Sequence, residues 1–483
     1  MDSMEQWSSR KGFILAAVGS AVGIANIWRF SAVVGQNGGG AYLIPYVISV
    51  FLCGLPLMVL ELAAGRHFQG TVVSAFRSVR ERFRVIGWLF CAIVFFILSY
   101  YLVIAGWTLG YTFFSLAGST VPFSQFISGW LPVALFIVTA VITGLVVSRG
   151  VQKGIERISI SLIPVSVVIL VILAVYGVTL PGFSEAMGYF FTPDFSVLGD
   201  PLLWGAAFGQ AFFSLSVGTG ILLTYGAYMS RDQGIPSSSL VITVADLSIA
   251  LLSGIVIFPV VFSFGLVPTV GAELAFTTLP TAFAAMPGGF IFATAFFLVL
   301  FFAALTSSIS MLEVSVAAFR ESLGWTRERT VAILTGAVLV AGLPSALSYS
   351  AAELNFAGIR VLDFMDETVG TLGLPVTALL LAVVFTWFLP RSVLADEIGS
   401  SLARLIHPLC RFVIPGVLLV TTAARLLSGL DFPGMRNLPG SRFIGTLLQV
   451  EGFAVFVGMV LLIAIFLCWY RRCPLAKRLR EWK

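Results

Sequence analysis

Charge is what this sequence has least of: 11% of its 483 residues are Asp, Glu, Lys or Arg, where soluble domains carry about 25%. Histidine is nearly absent. His67 and His407 each flank an apolar run, and neither sits in an H-E-x-x-H arrangement. The five cysteines, Cys53, Cys91, Cys410, Cys468 and Cys473, fall in or beside apolar runs without metal-ligand or paired-loop spacing, so neither zinc nor a disulfide framework is expected. No nucleophile-base pair is legible either, which argues against an enzyme. The net charge of +5 comes from bases spread among short loops, a pattern that fits membrane orientation and not nucleic-acid binding.

Apolar residues make up 58% of the chain and the mean hydropathy is +1.02. A spanning helix needs about 20 apolar residues. On that basis an all-α integral membrane protein with twelve spans is expected, at 12–35, 41–67, 86–117, 127–148, 157–180, 202–229, 237–266, 289–319, 329–348, 362–389, 405–428 and 444–470. An even number puts both termini on one side. That side receives Arg10 and Lys11, the cluster Arg77 to Arg84, the loop Arg149 to Arg157, Arg327 and Arg329, and the tail 471–483, whereas the loops 181–201 and 267–288 contain no lysine or arginine. Both termini are therefore expected in the cytoplasm. The first apolar run reaches its polar interruption without a cleavage site, so no cleavable signal is expected.

That interruption, VGSAVGIANIWRF from Val18 to Phe30, organises the rest. Gly19 and Gly23 form G-x-x-x-G, which alone reads as a helix-packing contact. Ser20, Asn26 and Arg29 within the same few residues favour a binding site, because packing needs neither an amide nor a guanidinium there and a charge deep in a membrane helix costs about 2.5–3.5 kcal/mol and needs a partner. A break there frees carbonyls that only protein or a hydrated cavity can receive. The sixth span repeats the pattern in QAFFSLSVGTG, Gln210 to Gly220. Two interrupted helices five spans apart predict a five-plus-five inverted repeat with helices 1 and 6 unwound and substrate bound where the breaks meet. The alternative for each break is a kinked packing helix.

The eighth span adds AALTSSISM, Ala303 to Met311, whose hydroxyls either bond back to their own helix or serve as hard oxygen ligands for a small cation. Asp246 is the lone acid of the seventh span. An isolated intramembrane carboxylate is functional by default, although Asn26 or Tyr46 could be a structural partner.

Together GSAVGIANIWRF, QNGGGAYLIPY, GLPLMVLELAAGR, YYLVIAGWTLGY, FFSLSVGTG and ALTSSIS, in this order over nearly the whole chain, resemble the neurotransmitter:sodium symporter family, which includes bacterial leucine and other hydrophobic amino acid transporters. The resemblance implies two Na+ sites. The first comprises Ala21, Asn26, Ser214 and Asp246, completed by the substrate carboxylate; the second comprises Gly19, Val22, Ala303, Thr306 and Ser307. It implies a substrate pocket of Ala21, Ile24, Ala25, Ile97, Tyr101, Phe213, Ser214, Ser216, Thr219, Ser307 and Met311, with Tyr101 bonding the carboxylate. Gly23 stands where monoamine carriers have an aspartate, so an amino acid is expected, and the wall of Ile97, Phe213, Thr219 and Met311, without a counter-ion, makes it a neutral, hydrophobic one. Thr219 replaces an aromatic and enlarges the pocket.

By the same resemblance Asp246, in the cluster Tyr46, Gln210, Ser214, Asp246 and Ala250, places a fixed negative charge where chloride binds in chloride-dependent members, so chloride-independent transport is expected. Arg29 and Asp366 should form the outer gate. At the inner gate, beside Trp7, Met4 takes the place of the usual arginine and Glu321 that of the usual aspartate, which leaves the inner ion pair open, with Arg10 or another base as the candidate substitute. Gly154 and Pro164 match a fifth-span unwinding motif, or form a passive kink.

The expected organisation is a cytoplasmic segment 1–11, repeats 12–180 and 202–389, helices 11 and 12 within 405–470, and a basic tail 471–483. Helices 11 and 12 are either a homo-oligomer contact or an accessory pair. The expected function is Na+-coupled import of an amino acid by alternating access at the plasma membrane. An amino acid sensor and a proton-coupled carrier are the rivals. Thr306 and Ser307 cannot titrate, which disfavours the carrier, while Met4 keeps the sensor open.

Overall fold

The computed structural model describes residues 5–266, 274–356 and 359–428. Met4, the expected twelfth span and the basic tail lie outside the described residues. Among those described, nine continuous helices are long and apolar enough to cross a membrane: Gly40–Phe68, Glu81–Leu116, Leu131–Ser148, Val151–Val178, Ile235–Ser263, Gly289–Leu323, Arg327–Ser348, Val361–Trp387 and Ser400–Ala423. They follow the expected ranges to within a few residues, apart from the fifth span. That helix starts at Val151 instead of 157, because the Gly150 carbonyl accepts from both Gly154 N and Ile155 N and winds Val151–Glu156 into a π-helical turn continuous with Arg157–Val178. On its outer face Val168, Ile172 and Val175 are exposed, as lipid contact requires.

The first span is a bent pair, Arg10–Ala21 and Ala25–Gln36, set at 58°. Ser9 caps its start by accepting from Gly12 N, and the helix stops at Val22, whose backbone is extended. The sixth span is likewise two helices, Pro201–Ser214 and Ile221–Ala227, around an unwound 215–220. Ser216, Gly218 and Gly220 all take positive φ there, a conformation open to glycine without penalty. The loops expected at 181–201 and 267–288 contain short helices, Phe183–Phe191 and Leu279–Ala285. A two-residue antiparallel ladder, Asn355–Phe356 with Ile359–Arg360, precedes the tenth span.

The long helices Arg84–Leu116 and Gly289–Leu323 pack along one another and form one wall around the breaks. Opposite them, Leu55–Phe68 of the second span packs closely on Ile221–Ala227. A Cβ at Gly65 would lie 2.0 Å from the Leu223 carbonyl, and one at Gly226 would lie 2.5 Å from the Leu62 carbonyl. Small residues let the two backbones touch where lipid supplies no hydrophobic drive. Gly65→Val should therefore cost about 1–3 kcal/mol by overpacking, read as a lower melting temperature of the purified protein. An unchanged melting temperature would contradict this contact.

Candidate substrate and ion site

The two breaks meet halfway along their spans. Asn26, on the π-helical turn that restarts the first span, is fully buried, and its amide Nδ2 lies 2.6 Å from both Ser214 Oγ and Asp246 Oδ1. Its Oδ1 accepts from Gly23 N at 3.1 Å, which satisfies an amide freed by the break. Ser214 Oγ donates to Asp246 Oδ2 at 2.7 Å, and the Tyr46 hydroxyl donates to Ser214 at 3.3 Å. Gln210 Nε2 donates to the Ala25 carbonyl at 3.1 Å. Asn26 is thus the direct partner of Asp246, and Tyr46 is one hydroxyl removed. Among the described residues no base pairs with Asp246. A buried carboxylate among neutral dipoles favours a small cation next to it.

A second oxygen cluster joins the first and eighth spans. Ser307 Oγ reaches the carbonyls of Ser20 at 3.2 Å and Gly19 at 3.4 Å, and Thr306 Oγ1 reaches those of Phe302 at 3.0 Å and Ala303 at 3.2 Å. Val22 and Ala303 face a small apolar space also lined by Ile163 and Ile249. All five residues of the expected second Na+ set therefore gather at this junction of the first, fifth and eighth spans. Hydroxyls and carbonyls are ligands suited to Na+ and not to soft metals.

Between the clusters lies a cavity. Of the expected pocket residues, Ala21, Ala25, Ile97, Tyr101, Phe213, Ser216, Thr219, Ser307 and Met311 line it. Ile24 takes part through its backbone, with its N–H donating to the Tyr101 hydroxyl at 3.3 Å. Ser214 stands behind the wall in the Asp246 cluster. Ser20, part of the first break, also lines it, as do Val94, Ile221 and Leu374, which were not singled out from sequence, where they look like ordinary span residues. Gly23 lines the cavity too, and a Cβ there would sit 3.0 Å from both Tyr101 Oη and Ser307 Oγ. Ser216 Oγ donates to the Ser20 carbonyl at 2.9 Å and ties the two unwound stretches together.

One residue of this architecture escaped the sequence reading. Glu61, fully buried in the second span, accepts from Gly218 N at 3.1 Å and Gly220 N at 2.9 Å, and so satisfies amides that the sixth-span break leaves unpaired. Its signal was present: like Asp246, it is an acid inside an apolar run, LPLMVLELAAG. Glu61→Gln keeps one acceptor oxygen and sets an NH₂ against the other amide. It should cost about 1–3 kcal/mol, with Glu61→Ala worse, both read by thermal unfolding. Wild-type stability in both would overturn this role.

At one end of the cavity the Arg29 guanidinium lies 4.5 Å above the Phe213 ring, and Asp366 accepts from the Tyr100 hydroxyl at 2.9 Å. At the end that carries the N-terminus, Trp7 Nε1 donates to the Tyr225 carbonyl at 3.0 Å and its ring packs edge-on against Tyr225. The ion pairs here depart from the expected pair. Glu5, not a base, comes from the N-terminal segment and meets Arg320 at 3.1 Å and Arg327 at 3.0 Å, and Arg327 also pairs with Glu313. Glu321 instead accepts from Thr71 N at 3.2 Å, and Arg10 reaches Ser237 and Ser238. With an acid on the N-terminal segment, the partners on the eighth and ninth spans must be bases. Burial raises the Glu5 carboxyl, but Arg327, the Val151 amide and Arg320 outweigh it and hold the group below its ordinary value. The contribution of Glu5 to closing this end should be complete above the ordinary carboxylate range and fade as pH falls through the lowered value. Protection of amides 5–9, taken relative to their intrinsic exchange rate at each pH, checks this; protection unchanged as pH falls would contradict it.

Comparisons with known proteins agree on one group. A profile of the sodium:neurotransmitter symporter family matches residues 4–132 and 127–437. An uncharacterized sodium-dependent transporter, YhdH of Bacillus subtilis, is 36% identical over 442 residues, 86% of this chain and 96% of that protein. The bovine sodium-dependent neutral amino acid transporter B(0)AT2 is 28% identical over 300 residues, 54% of this chain and 41% of that protein. The crystal structure of MhsT in complex with L-phenylalanine superposes with a TM-score of 0.80 at 37% identity, covering 87% of this chain and all of that one. Broken first and sixth spans, an oxygen-lined junction and these matches lead to one assignment: the chain belongs to the sodium:neurotransmitter symporter family, whose members are sodium-dependent membrane transporters and not enzymes.

Proposed function

We propose that the protein imports a neutral, hydrophobic amino acid together with two Na+ ions by alternating access, independently of chloride. The observation that carries this reading is the adjacency of the Tyr101 hydroxyl and the Ile24 N–H, 3.3 Å apart at the cavity edge, to the cluster that Asn26, two residues further along the same broken helix, forms with Ser214 of the sixth span and Asp246 of the seventh. A carboxylate bound at the break would meet both donors and an adjacent cation, so amino acid and ion would each complete the other's site. The remaining wall, Val94, Ile97, Phe213, Met311 and Leu374, is apolar and offers no counter-ion to a charged side chain. Met311 can repack around varied shapes. MhsT, bound to L-phenylalanine, and the bovine neutral amino acid transporter point the same way.

Asp246 supports chloride independence, because its charge occupies the cluster that an anion would otherwise need to fill. Thr306 and Ser307 form the second ion site with the carbonyls of Gly19, Val22 and Ala303. Base-free loops at 181–201 and 267–288 support cytoplasmic termini. Two ions crossing about 100 mV down a tenfold gradient release roughly 7 kcal/mol, enough for about a 10⁵-fold accumulation.

Reconstituted protein should accumulate labelled leucine or phenylalanine above equilibrium under an inward Na+ gradient and not under K+. Alanine, leucine and tryptophan should compete better than lysine, and replacing chloride with gluconate should leave uptake unchanged. Lysine competing best would overturn the substrate class. Loss of uptake in gluconate would overturn chloride independence, and equal accumulation under a proton gradient would overturn the Na+ coupling.

A further inference from the structure

The link between the second and third spans, residues 69–83, belongs to neither ion cluster nor the cavity. It holds a short helix, Val72–Val79, and a single turn, Glu81–Phe83, and leads into helix Arg84–Leu116. The short helix is fixed by its buried face: the Phe76 ring lies 5.1 Å from that of Phe90 and 4.9 Å from that of Phe385, and a Cβ at Gly87 would fall 2.5 Å from Val73 Cα. Thr71, at its start, bonds to Glu321, the neighbour in sequence of the Arg320 that meets Glu5. The link therefore lies at the end of the protein that carries the N-terminus.

Four exposed arginines stand on this fixed backbone, Arg77, Arg80, Arg82 and Arg84, and Glu81 is the only acid between Glu61 and Glu156. Among the described residues none of the four pairs with an acid. Two of them are held by rings instead: Arg80 Cζ lies 4.5 Å over the Phe388 ring and Arg82 Cζ 5.5 Å over that of Phe83, and these two rings meet edge-on at 4.9 Å. An arginine held on a ring face keeps its fork of N–H donors for an anion, and that fork matches the oxygens of a phosphate.

The surroundings select the anion. Phe388 is exposed, and beyond Arg84 the exposed Val85, Leu89 and Phe96 follow one face of the third span at helical spacing. At membrane depth such a stripe is covered by acyl chains, so the arginines where it begins stand at headgroup level. We propose that the arginines of this link, with the Phe83 and Phe388 rings, bind the headgroup of an anionic phospholipid in the leaflet at the N-terminal end. Its phosphate meets the guanidiniums while its acyl chains run along Val85, Leu89 and Phe96. A zwitterionic lipid carries its own cation and gains less. This site is independent of the transport reading.

Native mass spectrometry of the full-length protein titrated with phosphatidylglycerol or phosphatidylcholine tests it. Phosphatidylglycerol should be retained more tightly, and Arg80→Gln, Arg82→Gln and Arg84→Gln should each weaken it by roughly fivefold, the scale of one base near an anionic surface. Phosphatidylcholine retention should not change, which reads the fold of each variant. Phe388→Leu keeps every charge and should weaken phosphatidylglycerol by roughly two- to fivefold. Arg329→Gln is the matched control, since Arg329 is exposed and lies 4.9 Å over the Trp325 ring but has no second unpaired base on its link; it should leave retention unchanged. Equal retention of the two lipids, or equal weakening by Arg329→Gln, overturns the proposal. Displacement of the lipid by inorganic phosphate at equal concentration overturns it in favour of a soluble-anion site.

Discussion

Backbone that is not helical at membrane depth must find hydrogen-bond partners inside the protein, and the rest of this structure depends on how that demand is met. In the sixth span the Glu61 carboxylate takes the amides of Gly218 and Gly220. In the first span Asn26 takes the amide of Gly23, while Ser216 and Ser307 donate to the carbonyl of Ser20. Each partner comes from a different span or from across the break, so the unwound stretches stay open only while the spans are assembled around them.

The cavity follows from this constraint. The groups that satisfy the breaks also surround the space in which an amino acid and Na+ would bind, and the Asp246 cluster adds a negative charge that dipoles alone would not supply. Apolar side chains from the third, eighth and tenth spans close the space, which leaves recognition to the backbone end of a ligand and tolerance to its side chain. At the N-terminal end a second polar layer, with Glu5 and Glu156 at its centre, ties the first half of the first span to the fifth, eighth and ninth spans.

Much of the fold was legible because apolar length and interruptions are local signals. The spans, the two breaks, Asn26 and Asp246 stand out within ten or twenty residues of sequence. What escaped was the identity of long-range partners. Glu61 lies 157 residues from Gly218, and no spacing rule joins them. Glu5, Glu156 and Glu313 were passed over because acids near span ends look like solvated charges until the helices are packed. The inner closure was expected around Glu321 and a base near Met4; the structure instead brings an acid from the N-terminal segment to two arginines, a polarity that follows from Glu5 and not from the expected pattern. The fifth span's early start was missed because the basic stretch Arg149 to Arg157 reads as a loop, whereas Gly150 and Gly154 close a π-helical turn within it.

The central claim is that ion and amino acid complete one another's site at the broken first span. The most direct measurement is ²²Na+ entry into proteoliposomes with and without a neutral hydrophobic amino acid at zero membrane potential. The account predicts that Na+ entry rises only with the amino acid and in fixed proportion to its own entry, and that Asn26→Ala abolishes both. Na+ entry indifferent to the amino acid, or amino acid entry without Na+, would contradict it.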